Sequence, residues 1–524
     1  MRRLIATCSL LALILVGTPV AASAGGGATT GFRFFDLVAG DGVALKANTI
    51  APATPGRHPG IVFVSSWGVN DLQYVVQARS LAEAGYVVLS YTTRGFWGSG
   101  GVIEVAGPED TADARTAVDW MVANPAVDPA HIGIAGMSYG AGISLIAAGH
   151  DPRIRAVVAM STWTDLNYSL YGQQTRHLQA PAALTAVAAL TGHPGPEFVA
   201  ALRDFYANRN IPQVQAWGRV RSAATYLDGI NANRPAIMMA NGYGDSIFPP
   251  NQLVDFYGRL AGPKRLELAP GDHAIVEGLG LAGLPNHVWT DLHRWFDHYL
   301  RGLPTGIDTE PPVVLRPHGS DAVEQYADWA AATGTTSRLA MTGRHWWNLT
   351  GDLAAAAPAT DWSWPTWSGI DTTAAGGVVL VSNGFDALTG IPPTTWLPTV
   401  SRVNAGVWTS ARYPGGAPVR GIPHAHLTLT PNASHGTAVV YLYDLDDAGL
   451  ARLITHAPFT WLSGTAGVPV TLDVPLFAVA YDVPAGHRLA AVVDGKDPLY
   501  LDVNDGVAPT FTYTGASWID VPLR

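Results

Sequence analysis

The chain has 524 residues, 48% of them hydrophobic and 14% charged, and a formal net charge of −10. That length exceeds one ordinary core and predicts two or three domains, while the composition fits a packed globular protein. With no basic run beyond the N-terminus, the acidic balance argues against nucleic acid or an anionic membrane as a partner.

The first 24 residues read as a secretory signal. Arg2-Arg3 is the charged region, Leu4 to Val16 the apolar region and Ala22-Ser23-Ala24 the cleavage site. The apolar stretch falls short of the roughly 20 residues that span a bilayer. The expectation is a secreted protein with no membrane attachment once the signal is cleaved. Cys8, the sole cysteine, would leave with the signal. The mature chain then has no disulfide, cysteine nucleophile or cysteine-based metal site.

Phe32 to Ile50 reads as a β-hairpin turning at Gly40-Asp41-Gly42. Ile61 to Ser65 is a continuous apolar run, as in a central strand buried on both faces. A helix follows over Leu72 to Ala84, capped by Gly85, and Tyr86 to Ser90 is the next buried strand. The glycine-rich Thr93 to Gly101 lacks a P-loop lysine and opens no helix, so it reads as a loop and not a phosphate cradle. Pro108 to Ala123 is a helix with Pro, Glu and Asp in its first turn, where they suit the dipole.

His131 to Ala135 is then a strand, Gly136-Met137-Ser138-Tyr139-Gly140 matches G-x-S-x-G, and Ala141 to Gly149 is a helix. Strand, sharp turn and helix form the context of a nucleophile elbow, which exposes Ser138 and frees the N–H of Tyr139 for an oxyanion. Ile154 to Met160 is another strand, and the alternation implies a parallel, doubly wound sheet.

Residues from about 165 to 233 are helical in character, with no strand-like run, and predict a cap inserted over the strand ends. The sheet resumes at Pro235 to Ala240, followed by Asp245, a helix over Pro249 to Leu260 and a last short strand at Leu266 to Ala269. Pro270-Gly271-Asp272-His273 comes next, and a final helix over Val288 to Leu300 stops at Gly302 and Pro304. These elements define a domain over residues 31–304. From 311 to 524 the pattern is short strands between Gly/Pro turns: Val378 to Val381, Ala425 to Leu429, Thr437 to Tyr443, Val468 to Val474 and Leu489 to Val493. That pattern predicts a β-sandwich or jelly roll.

A serine needs a base to take its proton, and the base needs an orienting carboxylate. In the α/β-hydrolase order the acid and then the histidine follow the serine. Asp245 and His273 each lie just past a buried strand, on the edge that carries Ser138. His273 is expected as the base and Asp245 as its orienter; Asp272 adjoins His273 too closely to point at the imidazole. The second oxyanion donor is expected from Ser66-Trp67-Gly68.

His287, Asp291, His293 and Asp297 have metal-ligand spacing on one helix but read as a solvated face. His345-Trp346-Trp347 could stack a sugar, but reads better as buried aromatic packing. No metal or cofactor is expected.

Several motifs together resemble the family of the bacterial cocaine esterase and the Xaa-Pro dipeptidyl-peptidases. They are Arg94-Gly95 with Ser99-Gly100-Gly101, Gly136 to Gly140, Gly244-Asp245, Pro270 to His273, and Trp295 to Gly302. Tyr441 to Asp444 and Val483 to Leu489 are similar to the family's jelly-roll domain. The resemblance implies an α/β-hydrolase with a helical cap and a jelly roll, working through an acyl-enzyme on Ser138, His273 and Asp245. The family usually places a tyrosine in the oxyanion loop, where this chain has Trp67; its indole or its main-chain N–H would donate instead.

The expectation is a secreted serine hydrolase of carboxylic esters or amides. One alternative is an Xaa-Pro dipeptidyl-peptidase, which would need a cap carboxylate (Asp165, Glu197, Asp204 or Asp228) to hold the substrate ammonium. Another is a non-catalytic glycan-binding protein, which would have no need of an ordered Ser, Asp and His.

Overall fold

The computed structural model describes residues 30–357, 361–368, 370–504, 511–514 and 516–524, so the signal expected over residues 1–24 lies outside it. The first domain is built on β1 (Thr30–Val38), β2 (Ala44–Pro52), β3 (His58–Val64), β4 (Val87–Tyr91), β5 (Val127–Met137) and β6 (Ile154–Met160). After β7 (Arg176–His177) in the cap come β8 (Ala236–Gly242), β9 (Lys264–Ala269), β10 (Val313–Leu315) and β11 (Glu324–Tyr326).

Without β7, these strands form one ten-stranded sheet in the order β1-β2-β4-β3-β5-β6-β8-β9-β10-β11. Neighbours from β4 to β10 are parallel, and the pairs at the two edges are antiparallel. Ile61 to Val64 are fully buried, because helices cover both faces of the sheet. Strand order reverses beside β3: the chain passes from β3 to β4 on one side, then returns to β5 on the other. That switch point opens a crevice at the C-terminal ends of β3 and β5, where α/β sheets hold ligands.

The helices flanking the sheet include α1 (Val75–Glu83), α2 (Pro108–Ala123) and α3 (Tyr139–His150). The cap comprises α4 (Leu166–Tyr171), α5 (Gln179–Thr191), α6 (Pro196–Tyr206), α7 (Ile211–Val220) and α8 (Leu227–Asn233). Two more follow, α9 (Asn251–Arg259) and α10 (His287–Arg301). Asn286 caps α10 through its side chain and Gly302 ends it at φ 67°. The buried residues Val288, Trp289, Leu292, Trp295, Phe296 and Leu300 follow helical spacing and face the sheet. Asp291 of α10 bonds Arg265 and Arg294, and Asp297 bonds Tyr86 and Arg301. The helix face expected to be solvated therefore carries ion pairs, with Asp291 itself buried.

The second domain is predominantly β-strand, and fourteen of its strands are joined in one continuous set of pairings that leaves out Tyr500–Leu501. Four features differ from the sequence expectations. The strand expected to end the first sheet is followed by β10 and β11, so that sheet runs past residue 304 to Tyr326. Val313-Val314-Leu315 is buried, but three residues are too few to show a strand period. The cap does contain a strand, since β7 pairs with Tyr500–Leu501 of the β domain. Val378 to Val381 is no strand: it turns into α11 (Ser382–Thr389), which Gly390 ends at φ 70°.

The fourth difference concerns Trp346 and Trp347, which are 85% and 62% exposed rather than packed inside. They sit in the turn between two strands, where no other element among the described residues covers them.

Candidate active site

The elbow is dictated by its neighbours. Ser138 is held at φ 56°, ψ −117°, a conformation that costs a non-glycine residue about 1–3 kcal/mol. A Cβ on Gly140 would lie 2.0 Å from the carbonyl oxygen of Val64, and one on Gly136 would lie 2.5 Å from the carbonyl carbon of Gly140. Only glycine lets β3, β5 and α3 meet this closely. The Ser138 N–H donates to Met160 O at 2.8 Å, fixing the turn against β6. Tyr139, the first residue of α3, has no carbonyl partner for its N–H within the helix.

Asp245 lies three residues past β8 and His273 four residues past β9. His273 Nε2 is 2.7 Å from Ser138 Oγ, and Nδ1 is 2.9 Å from Asp245 Oδ2. With Nδ1 protonated toward Asp245, Nε2 is left to accept the serine hydroxyl. Asp245 Oδ1 accepts from the N–H groups of Ile247 and Phe248 at 2.9 and 2.7 Å, so the carboxylate cannot swing away. Asp272 instead braces two loops, its Oδ1 accepting from Ser246 N, Ser246 Oγ and His273 N.

Burial disfavours the imidazolium of His273. The charge and hydrogen bond of Asp245 outweigh this, with help from Asp272 and Glu277, and the pKa stands above its ordinary value. A hydroxyl, an imidazole and a carboxylate in this line allow the imidazole to take the hydroxyl proton.

The oxyanion loop departs from one expectation. The indole N–H of Trp67 donates to Leu184 O in the cap at 2.8 Å, so it is not available to a substrate oxygen. The loop is clasped to the elbow: Ser66 Oγ donates to Met137 O, and Gln73 bonds both Ser66 N and Ser66 Oγ. Among the described residues the main-chain N–H of Trp67 has no hydrogen-bond partner, and it remains the candidate donor.

Ser138 opens into a cavity of about 960 Å³, its solvent-filled mouth included. Leu166, Leu170, Leu184, Phe198, Phe205 and Trp217 of the cap supply much of the wall. Among the described lining residues none is charged. The cap carboxylates are turned to other uses. Asp165 caps α4, Glu197 reaches Arg221, Asp204 bonds Arg203 and Asn210, and Asp228 is exposed in the first turn of α8.

The β domain braces the site in a way the sequence reading missed. Asn383 of α11 donates to Gly244 O at 2.8 Å, and Leu380 N donates to Ser246 Oγ at 3.0 Å. Both contacts hold the loop that carries Asp245. The available sequence signal was Gly390 as a helix stop after Ser382 to Thr389, masked by the β-branched run before it. The other singled-out groups stay apart from the site. Arg94 of the glycine-rich loop is forked onto Asp113 and reaches Asp41, a structural tie. Among the described residues no cluster of three His, Cys, Asp or Glu could hold a metal ion.

Sheet, elbow and cap together define an α/β-hydrolase, and the protein is a serine hydrolase. Residues 41–275 match the model of the X-Pro dipeptidyl-peptidase (S15) family, and residues 305–517 match that of the X-Pro dipeptidyl-peptidase C-terminal non-catalytic domain. The two matches together span most of the chain, which belongs to the X-Pro dipeptidyl-peptidase (S15) family.

A putative Xaa-Pro dipeptidyl-peptidase of Streptomyces avermitilis is 24% identical over 82% of this chain and 69% of its own length. A putative serine esterase of Mycobacterium bovis is 28% identical over 58% of this chain, which spans about half (52%) of that relative. An α-amino acid ester hydrolase shares the fold with a TM-score of 0.75 at 17% identity, covering 97% of this chain and 99% of its own. A CocE/NonD family hydrolase of Staphylococcus aureus does so with a TM-score of 0.73 at 12% identity and the same coverage.

Proposed function

We propose that the protein is a secreted esterase that cleaves carboxylic esters with an apolar acyl group through an acyl-enzyme on Ser138. His273 takes the Ser138 proton as Oγ attacks the ester carbonyl, and Asp245 holds the imidazolium that forms. The carbonyl oxygen becomes an oxyanion, received by the N–H of Tyr139 and the main-chain N–H of Trp67. The tetrahedral intermediate then expels the alcohol, which takes the proton from His273. Water repeats the sequence on the acyl-enzyme, releasing the acid and restoring the serine.

The uncharged wall of the cavity carries the substrate assignment. A dipeptidyl-peptidase has to hold a substrate ammonium, and burying that cation without a partner carboxylate would cost several kcal/mol. An apolar acyl chain pays no such penalty against leucine, phenylalanine and tryptophan. The dipeptidyl-peptidase reading keeps the support of the S. avermitilis relative's description and of the family models' names. Export rests on the signal pattern of the first 24 residues.

Hydrolysis of p-nitrophenyl butyrate and of Gly-Pro-p-nitroanilide separates the two readings. Ester turnover with negligible anilide turnover, abolished in Ser138→Ala, is the expected result. Efficient anilide turnover would assign the chain to the peptidase branch.

A further inference from the structure

The turn that carries Trp346 and Trp347 joins strands Thr335–Met341 and Gly351–Ala354 of the β domain. Its stem is fixed from below. Trp408 Nε1 donates to Thr342 O at 2.8 Å, Asp352 N donates to Thr342 Oγ1 at 2.8 Å, and His345 N donates to Thr350 O at 3.0 Å. Above the stem, the His345 ring stacks on Trp347 with centroids 4.4 Å apart and planes 21° apart. His345 is itself held by Asp352, its Nε2 lying 2.9 Å from Oδ2. Trp346 meets Trp347 edge to face at 5.9 Å and 89°. One indole is thus backed and oriented by a tethered imidazole, and the second stands at a right angle beside it.

Two large indoles left in water in a held geometry call for a ligand, since burying either one would stabilise the fold. The polar groups around them give its chemistry. The Asp352 side chain is 53% exposed, and the exposed Asn348 accepts from Thr350 N through Oδ1, leaving its amide N–H groups to donate. An apolar plate edged by a carboxylate and a carboxamide suits a ring with C–H groups on one face and hydroxyls around its rim. A lipid anchor would instead be flanked by several cations; this turn carries one, Arg344, whose guanidinium lies over the Trp364 ring, 5.4 Å from its centroid. A second copy is poorly served as well: two indoles offer roughly 300–500 Å², against about 800 Å² per partner in a stable interface.

We propose that Trp346 and Trp347, with Asp352 and Asn348, form a binding site for a neutral pyranose unit of a polysaccharide, separate from the cavity at Ser138. The site is independent of the ester assignment.

The test is affinity electrophoresis of the full chain in gels containing hydroxyethyl cellulose or soluble xylan, with pull-down on insoluble cellulose and chitin. The expected result is retardation or retention on at least one of these, weakened about tenfold or more in Trp346→Ala and in Trp347→Ala. Trp347→Phe, which keeps a stacking face, should retain most of the binding. All three variants should melt cooperatively within a few degrees of the parent, which shows that they are folded whatever the outcome of the ester assay. The proposal is overturned if the parent binds none of the four polymers, or if folded alanine variants bind as well as the parent. Binding to phosphatidylcholine vesicles alone, lost in the same variants, would overturn it in favour of a lipid surface. A dimer dispersed by those substitutions, without polysaccharide binding, would overturn it in favour of a second copy.

Discussion

The Tyr139 phenol donates to Asp110 Oδ2 at 2.7 Å and accepts from the main-chain N–H of Ala106 at 2.9 Å. Tyr139 is thus anchored at both ends, because its backbone leaves the elbow directly after Ser138 while Trp67, Phe96 and Trp163 enclose its ring. In the proposed mechanism this anchor fixes the peptide N–H that receives the oxyanion. Tyr139→Phe should lower kcat by about tenfold with little change in KM, less than the ~10²–10³ lost when an oxyanion donor is removed outright. Steady-state kinetics on p-nitrophenyl butyrate reads this. A rise in KM at unchanged kcat would mean that the phenol serves binding instead.

Trp67 offers a second, opposite expectation. Since its indole N–H is bonded to Leu184 O, Trp67→Phe should keep kcat within about threefold, whereas loss of a true oxyanion donor costs ~10²–10³. The cap loses one tie to the loop, so KM is where a change should appear.

The pH dependence follows from His273. Only the neutral imidazole can take the serine proton, and the Asp245 charge and hydrogen bond, outweighing burial, hold its pKa above the ordinary 6.5. Activity should therefore fall on acidification, with the midpoint of the acid limb of kcat/KM above 6.5. Asp245→Asn should abolish most turnover, on the order of 10⁴-fold, by removing the group that sets the tautomer.

Stability should move the other way with pH. Burial raises Asp110, Asp272, Glu277 and Asp494 to about 7 and Glu267 to about 8. In the window between ordinary carboxylate values and these, the folded chain binds more protons than the unfolded one. Their contribution is whole below the unfolded values and is lost as pH rises through the folded ones. Asp128, Asp151 and Asp520, held low by hydrogen bonds and arginine or histidine partners against opposing burial, act in reverse and lose their contribution in stronger acid. Below the ordinary histidine value of 6.5 the buried His177, His287 and His456, pushed down by burial to about 3, 4 and 4, oppose this trend, so it shows above that value: the melting temperature should be higher near pH 7 than near pH 8.5, as calorimetry can check. A melting temperature that rises steadily over that range would contradict the burial of these acids.

Much of this was legible in the sequence, because each part has a local cause. Gly136 and Gly140 announce a close approach, and the apolar runs at Ile61, Ile154 and Ala236 announce strands buried on both faces. Asp245 and His273 then follow from their places after such strands. What could not be read depends on partners distant in sequence. Nothing near Trp67 says that its indole will meet Leu184, 117 residues away. Val378 to Val381 has β-strand composition, yet it docks on Ser246 and leads into α11, because the loop of Asp245 offers it a partner. Trp346 and Trp347 have core composition but lie in a turn that no element among the described residues covers.

The central claim is that Ser138 is the nucleophile. Treating the full chain with a fluorophosphonate and mapping the adduct by mass spectrometry tests it most directly. One adduct per chain is expected, on the peptide containing Ser138, with ester hydrolysis lost in proportion and no labelling of Ser138→Ala. An adduct on another residue, or ester hydrolysis that survives in Ser138→Ala, would contradict the account.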